Sequence, residues 1–189
     1  KTEILNAYEL LRTCYEHDGK LLIAGNGGSC ADSEHIVGEL MKGFVKRRPL
    51  PEELWQKICQ ESPEYGEELA RSLQGGLMAI ALTGHAGLST AFANDVNGDM
   101  TFAQQVCGYG RAGDVFLAIS TSGNSRNIDY AVTTAKAKGI SVIGLTGEDT
   151  PSGQKEGAAE AIENNIRRKM VEKVTVNPKY YEKMSAILD

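Results

Sequence analysis

Four short apolar runs, KLLIAG (20–25), LMAIAL (77–82), DVFLAIS (114–120) and ISVIGLTG (140–147), constrain this chain more than any other feature. Runs of this length, ended by glycine or polar turn residues, read as buried strands. The stretches between them have helical patterning. Strands alternating with helices imply βαβ units, hence a parallel sheet with helices on both faces. The expected fold class is α/β, a three-layer αβα sandwich. In such sheets the loops at the carboxyl ends of the strands hold the ligand.

The helical stretches differ in kind. Residues 2–17 place Ile4, Tyr8, Leu11 and Tyr15 on one stripe, with Leu5 and Leu10 beside it, an apolar face that needs a partner. A helix is expected from about residue 30 to 41. Residues 45–75 carry prolines at 49, 51 and 63 and many charges, which reads as an inserted helical hairpin. One or two helices follow over 86–107, broken near NDVNGD (94–99), and another over 127–139, stopped by Gly139. From Pro151 the alternation fails. PSGQKEG is linker-like, 158–173 is a polar helix, VTV (174–176) a short strand and 178–189 a terminal helix. The expected division is a ligand-binding domain over 1–150 and an atypical helical tail over 151–189.

Glycine marks the same boundary. All 21 glycines lie at or before Gly157, and at 21/189 they exceed the usual share of about 7%.

Composition excludes several function classes. With 20 Lys and Arg against 25 Asp and Glu, a net charge of −5, the surface does not suit nucleic acid or an anionic membrane. No apolar run approaches the roughly 18 residues of a membrane span, and the first residues, KTEILNAYELL, lack a basic region followed by an apolar one. A cytoplasmic location is expected, although a chain that starts at Lys1 leaves residues upstream open. Cys14, Cys30, Cys59 and Cys107 form no CxxC and no regular spacing, so reduced thiols are expected.

Two polar turns fall at the carboxyl ends of strands. GNGGS (25–29) leaves a strand and opens a helix; it can be a phosphate cradle of backbone amides or a tight βα turn that needs positive φ. It is neither GxGxxG nor GxxxxGK[ST], which disfavours a dinucleotide or P-loop site. STSGNS (120–125) adds the hydroxyls of Ser120, Thr121, Ser122 and Ser125; it can hold a phosphate, or be a turn in which Ser125 caps the next helix. His35 and Glu39 stand four apart on one helix face, either a metal or acid–base pair or an ordinary solvated pair. Asn94 and Asp95, read as a loop after a helix, can hold sugar hydroxyls or form an Asx turn. His85 is a further loop candidate, and His17 reads as a helix-end residue facing the dipole.

Taken together, LLIAGNGGSCADSEHIVGELMKGF (21–44), TAFANDVNGDMTFAQQV (90–106), DVFLAISTSGNSRNIDYAVTTAKAKG (114–139) and VIGLTG (142–147) resemble the sugar isomerase (SIS) domain family, in its phosphoheptose isomerase branch. The resemblance covers about residues 1–148 apart from the insertion. It implies a flavodoxin-like, five-stranded parallel sheet and a homotetramer, or at least a dimer, with sites between subunits. It further implies aldose–ketose isomerisation of a phosphorylated sugar, sedoheptulose 7-phosphate, through an enediolate. By motif match, Asn26, Gly27, Gly28 and Ser29 would line the substrate loop. Ser120, Thr121, Ser122 and Ser125 would hold the phosphate, and Asn94 with Asp95 would contact the sugar. His35 and Glu39 would be zinc ligands, with Glu39 also the catalytic base placed against the reacting carbon.

The family takes its remaining metal ligands and its acid/base histidine from a later Thr-x-x-x-Gln-Glu-x-His stretch. Here no histidine follows His85, and Gln154 is the only glutamine after Gln105. The zinc ligand set is therefore incomplete, and the alternative function is a non-catalytic phosphosugar-binding module acting as a sensor or protein scaffold. Residues 158–189 resemble instead, on a short stretch, a C-terminal helical segment of type I restriction enzyme motor subunits.

Overall fold

The computed structural model describes residues 2–43, 45–147 and 172–175. The expected strands form as β1 (Leu21–Ala24), β2 (Ala79–Ala81), β3 (Val115–Ile119) and β4 (Ser141–Thr146), joined by β5 (Glu172–Thr175). All pairings are parallel, in the order β2-β1-β3-β4-β5. Continuous burial of β1 explains why its sequence does not alternate: both faces are covered.

Alternate residues divide the core between two layers. Leu22, Ala24, Phe116, Ala118 and Val142 face the layer that includes Ile128, Ala131, Val132 and Ala135 of α7 (Arg126–Ala137). Leu21, Ile23, Val115, Ile119, Ile143 and Leu145 face the other. There the stripe of α1 (Thr2–Glu16), with Ile4, Leu10, Leu11 and Tyr15, packs beside Ile36, Val37 and Leu40 of α2 (Gly28–Met41). The partner expected for the α1 stripe therefore includes the chain's own sheet.

The insertion is a helical hairpin, α3 (Glu52–Glu61) and α4 (Gly66–Ser72). It turns tightly at Gly66, where a Cβ would come within 2.6 Å of the Ile58 carbonyl oxygen. Arg48 fastens its root, donating to the carbonyls of Leu40 (2.6 Å) and Gly75 (2.8 Å). The stretch expected to hold one or two helices contains α5 (Ala86–Asp95), a 3-10 turn at Gly98–Met100 and α6 (Thr101–Tyr109). Gly139, at φ 71°, stops α7 as expected.

The amino-terminal edge of the sheet is closed by buried polar contacts. Asp114, 3% exposed, accepts from Lys20 Nζ (2.6 Å), the Lys20 amide (3.0 Å) and the Arg111 amide (2.7 Å). This joins the entrances of β1 and β3. Burial pushes the neighbouring Cys14 thiol up, with Asp114 adding to it, and burial also pushes the Tyr15 phenol up.

Two boundaries differ from expectation. Helix α2 starts at Gly28 rather than near residue 30, because the Ser29 amide already bonds to Asn26 O and the Cys30 amide to Gly27 O. Residues 172–173, expected at the end of a polar helix, belong to β5, so part of the supposed helical tail is in the sheet. The rest of that tail, with its expected helices and the restriction-enzyme likeness, lies outside the described residues.

Candidate functional site

Strand order decides where a ligand would sit. From β1 the chain crosses to β2 on one side, and from β3 to β4 on the other, so α2 and α7 leave neighbouring strands toward opposite faces. The crevice outside the carboxyl ends of β1 and β3 is the topological switch point of this sheet. GNGGS lines one side of it and STSGNS the other.

Each glycine of the first loop has its own reason. A Cβ on Gly25 would come within 2.6 Å of Ser29, so Gly25 serves the close approach of α2 to β1. Gly27 has φ 55°, the left-handed region that favours glycine. Gly28 has open space where its Cβ would be, at the start of a helix with no acidic residue in its first turn. Ser29, expected in the substrate loop, is instead a buried residue of α2 (6% exposed) whose carbonyl accepts from Ser33.

Across the crevice, Ser120 is buried, Ser125 half-buried, and Thr121 and Ser122 are exposed. The alternative in which Ser125 caps α7 is corrected: its side chain makes no cap bond, and its hydroxyl lies 3.0 Å from Ser120 Oγ. Ser122 Oγ accepts from the Asn124 amide at 3.3 Å, and Gly123 turns the loop at φ 67°. The opening amides of α7 at Arg126 and Asn127 have no acceptor among the described residues, the usual condition of a helix N-terminus and one that suits an anion.

The loops are joined by a pair the sequence did not single out. Asn26 Nδ2 donates to Asn127 Oδ1 (2.9 Å), and Asn127 Nδ2 donates back to Asn26 Oδ1 (2.8 Å). These residues are 101 apart in the chain. Asn26, expected to touch substrate, thus spends a donor and an acceptor on holding the two loops in register. The available signal was that Asn127 follows STSGNS by two residues.

Other candidates settle elsewhere. Asn94 and Asp95 are exposed and form the last residues of α5, not a loop, with Asn94 Nδ2 donating to Asp95 Oδ1 at 2.7 Å. The Asx turn belongs to Asn97, whose Oδ1 accepts from the Asp99 amide at 2.9 Å. Asp99 brings this turn near the second loop, 3.9 Å from Arg126 Nε. His85 is the N-cap of α5, accepting from the Leu88 amide (3.2 Å), and His17 Nδ1 donates to Thr13 O (2.8 Å) at the end of α1.

His35 and Glu39 share a face of α2, with Nε2 and Oε1 3.9 Å apart and side chains 79% and 38% exposed. Helical rise places them about 10 and 16 Å along the axis from Gly28, so they do not lie at the loop mouth of the same chain. Zinc normally takes three or four protein ligands at about 2.0–2.3 Å. Among the described residues no three His, Cys, Asp or Glu side chains come together in that way. The described residues therefore do not complete a zinc site.

No helix among the described residues is long and apolar enough to cross a membrane. The SIS domain family matches residues 64–147. The chain is 37% identical over 146 residues to a phosphoheptose isomerase of Coxiella burnetii and 40% identical over 145 residues to one of Neisseria gonorrhoeae. Each alignment covers 77% of this chain and 60% of the relative, so the chain spans about 60% of the length of these curated relatives. Among solved structures, phosphoheptose isomerase GmhA from Neisseria gonorrhoeae superposes with TM-score 0.59 at 32% identity, covering 89% of this chain and 81% of that one. A phosphoheptose isomerase from Francisella tularensis gives 0.66 at 28% identity, covering 99% and 81%.

Proposed function

This chain belongs to the SIS domain family, and from that premise we propose that it is a phosphosugar isomerase acting on sedoheptulose 7-phosphate. The observation that carries the reading is the switch-point crevice, with two glycine- and serine-bearing loops held together by the Asn26–Asn127 pair. In this reading the phosphate sits against the opening amides of α7 and the hydroxyls of Thr121 and Ser122. Neutral donors and the helix dipole are enough to hold a dianion. Anchoring it orients the sugar, which is where much of the rate enhancement of such a reaction arises.

Glu39 is the proposed base. It takes the proton beside the carbonyl, an enediolate forms, and the proton returns to the neighbouring carbon, converting ketose to aldose. The protein acts as a homo-oligomer in the cytoplasm with sites between subunits, so the Glu39 serving one pair of loops need not belong to the same chain. His35 and Glu39 are the two donors the described residues would offer to a zinc ion.

The test is Glu39→Gln assayed with sedoheptulose 7-phosphate. Turnover should fall about 10²- to 10⁴-fold, the usual worth of a general base, while the affinity for inorganic phosphate stays within twofold, an order-of-magnitude expectation for a neutral isostere. Unchanged turnover would remove Glu39 from the role. The exposed His35–Glu39 pair, with no third candidate ligand beside it among the described residues, favours a second reading, a binding module that holds phosphosugars as a sensor or scaffold. Undetectable turnover in a wild-type chain that sugar phosphates still stabilise would select it.

A further inference from the structure

We propose that the Thr146 hydroxyl is a ligand-binding group, donating to an oxygen of a phosphate seated at the first turn of α7; this rests on the phosphate reading above. Thr146 closes β4 and is 8% exposed, yet its Oγ1 has no hydrogen-bond partner among the described residues. Native proteins rarely leave a buried polar group unpaired. A valine would fill the same space without an orphaned hydroxyl, so the hydroxyl calls for a partner that the described residues do not supply.

Position says which partner. Val142 faces the α7 layer and Leu145 the opposite one, so strand alternation turns Thr146 toward α7. The Ser120 amide bonds to Leu145 O (3.0 Å), which sets Thr146 beside Ser120 across the β3–β4 ladder. The Gly147 amide then bonds to Thr121 O (3.2 Å), tying the end of β4 to the STSGNS loop. Ser120 Oγ is already engaged with Ser125. Thr146 is therefore the uncommitted hydroxyl at the back of this loop, where a compact oxyanion would present an acceptor.

The test uses the full chain, with Thr146→Val, Thr146→Ser and Ser122→Ala measured by thermal unfolding and by titration with inorganic phosphate and with sedoheptulose 7-phosphate. Without ligand, Thr146→Val should melt at or above the wild-type temperature. Its affinity for both phosphates should fall about tenfold, as expected for a lost bond to a charged acceptor, and Thr146→Ser should keep most of it. Wild-type affinity in Thr146→Val overturns the inference, as does a lower melting temperature without ligand, which would mean an internal or buried-water partner. If Ser122→Ala weakens binding and Thr146→Val does not, only the inference fails. A wild-type chain that neither phosphate binds removes the phosphate reading with it.

Discussion

At the amino-terminal edge of the sheet, Lys20 Nζ and the amides of Lys20 and Arg111 all end on one buried carboxylate, Asp114. At the carboxyl-terminal edge, at the other end of the same strands, Thr121 and Ser122 are exposed, and the opening amides of α7 and Thr146 Oγ1 have no partner among the described residues. Both edges join β1 to β3, one by an ion pair and the other by the Asn26–Asn127 amides. One edge satisfies its polar groups internally and so contributes to stability. The other leaves donors unspent, which has a free-energy cost in the empty protein and is useful only when something binds.

Mutations at the two edges should therefore have separable effects. The largest change in stability is expected from Asp114→Ala, which strands a mostly buried Lys20 and leaves two amides without their acceptor; about 3–5 kcal/mol should be lost in urea unfolding. A loss below about 1 kcal/mol, the range of an exposed pair, would erase the distinction between the edges. Asn127→Ala should cost only about 1 kcal/mol, the scale of a part-exposed hydrogen-bonded pair, but weaken phosphate binding by releasing the first loop from the second. If stability falls and phosphate binding does not, the amide pair belongs with the structural edge.

The smallest effect is a pH dependence confined to the closed edge. The ordinary values are 9.0 for the Cys14 thiol and 10.0 for the Tyr15 phenol, and both are raised in the fold. The unfolded chain therefore loses these protons first. The stability they contribute is whole below about pH 9 and is lost as the pH rises through and above their ordinary values. Tyr15→Phe should flatten the part of that loss above pH 10, at the cost of one hydrogen bond to Met78 O (3.3 Å). Unfolding curves from pH 8 to 11 check this, and an unchanged slope would mean that the phenol is solvated in the fold.

Much of the frame was legible because it is written locally. Continuous apolar runs marked β1 to β4, proline and charge marked the inserted hairpin, and Gly139 marked the end of α7. Local pattern was less reliable where a side chain had two uses. Asn94 and Asn97 both suit an Asx turn, and only the observed bond to the Asp99 amide chose Asn97. Ser125 stands where a cap is expected, but its hydroxyl meets Ser120 instead. The glycines before Ser29 suggest a loop there, whereas the helix begins one residue earlier and buries it.

What the sequence by itself determined was the kind of elements and the end of the sheet at which ligand loops must lie, since hydrophobic period and turn chemistry act over a few residues. Tertiary structure decided which loops face each other. The Asn26–Asn127 and Lys20–Asp114 pairs join residues 101 and 94 positions apart. They exist because helices packed on opposite faces bring β1 beside β3, and that same packing leaves Thr146 without a partner among the described residues.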